Sequence, residues 1–337
     1  MSRERLQDLS EGELLARLFP VYGGTRGPAD VLVGPGDDAA VLAAPSGSVV
    51  LTTDSMVRGR DWHDHWSAPE EIGLKVVAQN LTDIAAMGAV PTGLLVALAA
   101  DPATEVDWAI ALAGGIARAA REAAAPVLGG DVSSAGEGSV IVGITAIGDL
   151  QGRAPVRRDG ARPGDVVAVR GSLGHSGGGL QLLLEDRGRT HLDPPLEGGS
   201  ELDRAVDLLC RAHRRTTDVP WRSGAEAATA GATAMIDISD GLVRDLGRVA
   251  AASGVRVDLD RGALEGFAAG PLTLALGAEE ALRQVLSGGE EHSLLATFTA
   301  GAVPKGWQVI ARCVDGEAGV FLDGEVPEVT GWDHFRG

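Results

Sequence analysis

Two helix-length segments in the first half of the chain leave little choice of fold. Residues 68–87 follow Ser67, open with Pro69-Glu70-Glu71, and stop at Gly88. Proline and acids in the first turn and glycine past the end mark helix boundaries. Ile72, Val76, Leu81, Ile84 and Ala85 recur at the spacing of one helical face. A second, alanine-rich helix is predicted over residues 107–125. Around these lie apolar runs too short for helices, at 31–33, 39–42, 49–52, 93–100, 127–128 and 140–148, punctuated by Gly, Asp and Pro. Strands alternating with helices predict an α/β fold of mixed, α+β type sheets.

The pattern restarts at Ala161-Arg162-Pro163-Gly164-Asp165. Strands are predicted at 166–170, 233–238, 255–259, 294–299, 307–314 and 320–322, with helices at 175–185, 202–215, 224–229 and 242–253. A chain of 337 residues fits two cores better than one. The expected boundary lies near residue 150, giving domains 1–150 and 151–337.

Bulk properties exclude several classes. The balance of 29 basic against 47 acidic residues gives a net charge of −18. No basic run is longer than Arg157-Arg158 or Arg214-Arg215, so nucleic acid and anionic membranes are not expected partners. No apolar stretch is long enough to span a bilayer. The first residues lack the apolar core of a signal peptide, and Cys210 and Cys313 form neither a ligand pair nor a redox pair. Both points lead to an expected cytoplasmic location. The 48 glycines are roughly twice the usual share and have no three-residue period, which excludes collagen.

The chemistry is carried by acids placed where apolar runs stop. Asp37-Asp38 follow Gly34-Pro35-Gly36, Asp54 follows Thr52-Thr53, and Asp83 closes Asn80-Leu81-Thr82-Asp83. Asp131 follows Gly129-Gly130, and Asp237 and Asp240 flank Ser239 ahead of a helix. Each alone reads as an ordinary cap or Asx turn. Together, with hydroxyl and Gly-Gly neighbours, they suit Mg²⁺, which takes hard oxygen ligands and phosphates. There is no P-loop and no protein-kinase lysine motif, since Lys75 and Lys305 are the only lysines and neither lies in a suitable context. The Gly174–Gly179 stretch, opening a helix after a strand, reads either as an anion-binding loop or as close helix packing.

Read together, GPGDDAAVL, LTTDSMVRG, QNLTDIAAMGAVP, LGGD, RDGARPGD, MIDISDGL, LSGGEEHSLL and the terminal GWDHF resemble the thiamine-monophosphate kinase family. That family sits in the superfamily of aminoimidazole ribonucleotide synthetase, selenophosphate synthetase and a hydrogenase-maturation protein. The resemblance implies the two-domain aminoimidazole ribonucleotide synthetase-like fold, with N-terminal sheets pairing in a homodimer. The N-terminal domain would bind ATP and Mg²⁺, and the C-terminal domain would complete the nucleotide and substrate site. It implies transfer of the ATP γ-phosphoryl group to thiamine monophosphate. Asp38, Thr52, Thr53, Asp54, Asp83, Asp131 and Asp237 would hold several Mg²⁺ ions and Asp240 a further one. Catalysis would be metal-assisted through Asp54, Asp83 and Asp131, with no classical base. Gly130, Asp131, Arg158 and Ser239 would contact ATP, and Asp61, Glu290 and Trp332 the acceptor.

Three positions depart from the family pattern. Asp61 stands where many members carry His, Glu291-His292 replace Asp-Tyr after Gly-Gly-Glu, and His175 replaces Asp in the Gly-Asp-Ser turn. A sister ATP-dependent enzyme, of cyclo-ligase or selenophosphate synthetase type, and a non-enzymatic metal-binding protein are the alternatives. The sister enzymes usually carry Lys or Cys in an N-terminal loop, and residues before Gly34 contain neither.

Overall fold

The computed structural model describes residues 4–9, 11–22, 31–33, 41–216 and 219–328. The chain divides into two compact units, one of Met1–Ile84 with Val90–Gln151, the other of Ala85–Ala89 with Gly152–Gly337.

In order, the first unit carries α1 (Glu11–Val21), β1 (Val31–Val33), β2 (Val41–Leu42), β3 (Val50–Val57), α2 (Pro69–Ala86), β4 (Val90–Ala100), α3 (Val106–Ala123), β5 (Val127–Ser134) and β6 (Val140–Asp149). The last residues of α2 run into the second unit. Strands β1 and β2 form a small antiparallel pair, and the main sheet has the order β3-β6-β4-β5. Only β4 and β5 are parallel, joined through the crossover helix α3 as such a pair requires.

Helix α2 begins as its boundary residues dictate. The Glu71 carboxylate accepts the Ala68 N–H at 3.0 Å, satisfying a donor that the first turn leaves orphaned. One face of the main sheet is covered: Leu94, Val96 and Leu98 of β4 and Val142, Ile144 and Ala146 of β6 are buried. Each fully buried aliphatic chain of this kind contributes about 1.5–3 kcal/mol. The other face is open, with Leu51, Leu95 and Ile141 exposed by 63%, 36% and 39%.

The sequence places the end of one strand before Asp54 and a turn at Gly129-Gly130-Asp131. Instead β3 continues through Thr52-Thr53-Asp54 to Val57, and β5 runs through Gly129-Gly130-Asp131 to Ser134. Both are edge strands, where one side of the backbone has no partner and polar or glycine residues cost little.

The second unit comprises β7 (Asp165–Arg170), α4 (His175–Leu184), α5 (Glu201–Arg215), α6 (Trp221–Thr229), β8 (Ala234–Ile238), α7 (Leu242–Ser253), β9 (Arg256–Leu259), α8 (Arg261–Ala268), α9 (Pro271–Leu276), α10 (Ala278–Ser287), β10 (Ser293–Thr299), β11 (Gln308–Val314) and β12 (Gly319–Leu322). Its mixed sheet has the order β12-β9-β11-β7-β10-β8. Val166, Ala168, Met235, Leu294, Ala296, Phe298 and Trp307 form a core on it. Helices α8 to α10, absent from the sequence reading, are short and broken by Gly270 and Gly277 at positive φ. Among the described residues, no helix is long and apolar enough to cross a membrane.

Candidate functional site

Strand β3 and helix α2 bring three of the expected residues together. Thr52 Oγ1 donates to Asp83 Oδ2 at 2.7 Å, and the Gln79 amide stands 3.5 Å from Asp54 Oδ2. The register explains why. Thr52 and Asp54 pair with Ala146 and Ile144, both buried, so their side chains lie on the covered face, where α2 carries Gln79 and Asp83. Side chains alternate between faces, and Thr53 therefore points the other way. It pairs with Thr145, whose hydroxyl meets it at 3.2 Å.

Asp131 is not in this group. It lies on β5, the opposite edge of the sheet, three strand spacings or about 14 Å away in the hydrogen-bonding direction. It pairs with Ala97, on the open face, as Thr53 is. Gly130 is required by packing: a Cβ there would lie 1.8 Å from the Val96 carbonyl oxygen. Its glycine identity therefore has a structural cause independent of any ligand.

Asp61 holds a turn, its Oδ2 accepting the Val57 N–H at 2.7 Å. The neighbouring His63, His65 and Trp66 rings pack on one another, with the two imidazoles 5.4 Å apart. Among the described residues, no three of His, Cys, Asp and Glu gather closely enough to form a metal cluster. Asp38 and Trp332 lie outside the described residues.

In the second unit, Asp237 sits near the end of β8, 5% exposed, with His292 Nδ1 3.8 Å from its Oδ2. The ring nitrogens of buried His292 have no hydrogen-bond partner among the described residues. Asp240 is held by arginine, with Arg248 Nη2 2.6 Å from its Oδ2. Asp245, which the sequence reading passed over, organises the turn. Its Oδ2 accepts the N–H groups of Ser239 and Asp240 at 3.0 and 2.9 Å, and its Oδ1 accepts Arg248. Burial pushes the Asp245 carboxyl up to about 6, against the lowering pull of the Asp240 N–H. Arg158 is exposed, and its backbone carbonyl accepts the Ser253 hydroxyl at 2.9 Å.

The glycine-rich opening of α4 resolves in favour of packing. A Cβ at Gly179 would lie 2.1 Å from the Leu209 carbonyl of α5. The N-terminus of α4 is already occupied by a carboxyl group, since Glu291 Oε1 accepts the Ser176 N–H at 2.5 Å and Oε2 accepts the Ser172 hydroxyl at 2.8 Å. A carboxylate there meets both the unpaired N–H groups and the helix dipole. Burial pushes the Glu291 carboxyl up to about 7, partly offset by Ser172, Ser176 and His292. One residue before, Glu290 adopts a left-handed backbone (φ 60°), its N–H donating to the Ser239 carbonyl at 2.7 Å. Its side chain reaches His213, with Oε2 3.3 Å from Nδ1.

Residues 36–150 match the family described as AIR synthase related protein, N-terminal domain. The thiamine-monophosphate kinase of Mycobacterium tuberculosis (strain H37Rv) is 42% identical over 333 residues, covering 98% of this chain and 93% of its own length. Among solved structures, thiamine-monophosphate kinase from Stenotrophomonas maltophilia K279a has a TM-score of 0.78 at 30% identity, over 95% of this chain and 98% of that one. AaThiL complexed with AMPPCP and TMP has a TM-score of 0.70 at 29% identity, over 99% and 100%. On identity and coverage together, the chain belongs to the thiamine-monophosphate kinase family.

Proposed function

We propose that this protein transfers the γ-phosphoryl group of ATP to thiamine monophosphate, giving thiamine diphosphate and ADP. The observation that carries this is end-to-end kinship at 42% identity with a kinase of that name. A phosphate oxygen of the acceptor attacks the γ-phosphorus, and the bond to the β-phosphate oxygen breaks, ADP leaving with the electron pair. The attacking oxygen is already anionic, so no side chain has to remove a proton. The principal obstacle is repulsion between two phosphates.

The donors of the N-terminal unit fit Mg²⁺. Thr52, Asp54 and Asp83 offer only hard oxygens, and two carboxylates with no third acid clustered on them among the described residues suit an ion that completes its shell with water and substrate phosphate. Asp54 and Asp83 are the residues we infer to hold it, and Asp38, Thr53, Asp131, Asp237 and Asp240 are inferred to serve further Mg²⁺ ions. Bound there, the ion neutralises charge on the phosphates. Thr52 fixes the Asp83 carboxylate by its hydrogen bond, and Gln79 stands beside Asp54. Gly130, Arg158 and Ser239 are inferred to contact ATP, and Asp61, Glu290 and Trp332 the acceptor. The guanidinium of Arg158, with no ion pair among the described residues, suits a phosphate.

We also infer a homodimer formed through the open face of the main sheet. Leu51, Leu95 and Ile141 present apolar surface there that one chain leaves uncovered.

The reaction is tested by incubating the protein with ATP, Mg²⁺ and thiamine monophosphate and separating the thiamine phosphates. Thiamine diphosphate should accumulate with ADP in equal amounts. No product at any Mg²⁺ concentration would refute the assignment, and diphosphate made from free thiamine would redirect it to a pyrophosphokinase.

A further inference from the structure

His213 occupies the last turn of α5 and is 4% exposed, so its ring makes its contacts inside the protein. Its Nδ1 faces two oxygens at the same distance, Glu290 Oε2 at 3.3 Å and Ser176 Oγ at 3.3 Å. A neutral imidazole has one N–H and one lone pair, and a lone pair directed at a carboxylate is repulsive. The tautomer carrying hydrogen on Nδ1 is therefore the one that fits, donating to Glu290 with Ser176 Oγ at its side.

Each partner is itself fixed. Ser176 lies in the first turn of α4, buried, and its N–H is gripped by Glu291. Glu290 holds a left-handed backbone conformation that is strained for a non-glycine residue and persists only where its surroundings enforce it. The Ser239 carbonyl enforces it from one side and His213 fixes the side chain from the other. Glu290 is thus a strained residue with an oriented carboxylate, partly exposed at 29% of its side chain. A fully buried structural acid would have no exposed surface to offer a ligand.

We propose that His213 is a positioning residue for the acceptor substrate, its Nδ1–H holding the Glu290 carboxylate in the orientation that receives thiamine monophosphate. This rests on the reading of Glu290 as an acceptor contact. A carboxylate repels the phosphate end of that substrate and suits its other end, where an aminopyrimidine and a thiazolium cation offer an N–H donor and a positive charge. His213 therefore acts on acceptor binding, away from the transferred phosphoryl group.

The test is steady-state kinetics of wild type, His213→Leu, His213→Asn, Glu290→Gln and the double variant His213→Leu/Glu290→Gln. His213→Leu should raise KM for thiamine monophosphate about tenfold, the scale of one charge-assisted hydrogen bond, with KM for ATP within about twofold. His213→Asn keeps an N–H near the Nδ1 position and should recover most of that loss. The double variant should be no worse than Glu290→Gln alone, because His213 works through Glu290. If His213→Leu does not fold, His213→Gln, whose donor sits at the wrong distance, replaces it with the same expectation. An unchanged acceptor KM in Glu290→Gln overturns the reading of Glu290 and this proposal with it. A raised KM in Glu290→Gln beside an unchanged KM in His213→Leu, or full additivity in the double variant, overturns the positioning role alone.

Discussion

Replacing Glu291 by glutamine isolates one proton in a chain with 47 acidic residues. Its carboxyl, ordinarily near 4.5, is pushed up to about 7, chiefly by burial. The folded state therefore holds this proton more tightly than the unfolded state. Stability from this group is fully present below the unfolded value and is lost as pH rises through the folded one. A rise from 4.5 to about 7 corresponds to about 3 kcal/mol, at about 1.4 kcal/mol per unit. Glutamine keeps an oxygen to accept the Ser176 N–H, and its amide can donate to a Ser172 hydroxyl that has turned round. It has no proton to lose.

Urea unfolding of both proteins between pH about 5 and pH about 8, followed by circular dichroism and fluorescence, measures the effect. The difference in unfolding free energy, Gln minus Glu, should grow by about 2–3 kcal/mol across that range and level off above the folded pKa. Other carboxylates shift both curves equally and cancel in the difference. Curves that stay parallel within about 0.5 kcal/mol would mean that Ser172 and the helix end hold the ionised form at no cost, refuting the burial argument.

Asp54→Asn and Asp83→Asn should each lower turnover by at least about 10² with thermal melting near that of wild type; turnover within about threefold of wild type in either would remove that residue from the metal site. Gly130→Ala drives a methyl against the Val96 carbonyl, 1.8 Å from its Cβ, so β5 must move away from β4. The cost should be about 2 kcal/mol or more, read as a lower melting temperature, and an unaltered melt would show that the strand pair yields freely. Leu51→Glu puts a charge on the open sheet face, where Leu51 is 63% exposed, and should shift sedimentation toward monomer without loss of fold. An unchanged sedimentation coefficient would place the interface elsewhere.

Periodic apolar patterns carried most of the fold. The helix at α2 and the 242–253 helix followed from boundary residues and spacing, because a helix that buries one face must repeat it. The two edge strands were read short for the opposite reason. Hydroxyls, acids and paired glycines interrupt an apolar run, yet an edge strand exposes one backbone side and tolerates them. Helices α8 to α10 escaped because Gly270 and Gly277 break the segment into three short pieces, none long enough to stand out as a helix. The acids around Ser239 were legible as a cluster, but Asp245, which accepts the N–H groups of Ser239 and Asp240, looked like an ordinary helix residue. His213 carried no signal at all. Its partner Glu290 lies far along the chain, beyond α10, and only the fold brings the two to 3.3 Å.

The consecutive trio Thr52-Thr53-Asp54 shows what a linear motif conceals. Because β3 remains extended through all three, their side chains cannot converge on one ion. Thr52 and Asp54 share the covered face with Gln79 and Asp83, whereas Thr53 joins Thr145 on the open face, where Asp131 also lies. The described residues expected to bind metal in this unit therefore form two groups on the two faces of one sheet, with Asp131 also at the opposite edge. The first puts two carboxylates and a hydroxyl on one face within one chain, the set inferred to hold an ion. The second stands among Leu51, Leu95 and Ile141, the surface inferred to pair in the dimer. Loss of pairing in Leu51→Glu should consequently spare the contact between Thr52 and Asp83, while any part Asp131 plays in nucleotide binding becomes sensitive to whether a second copy is present.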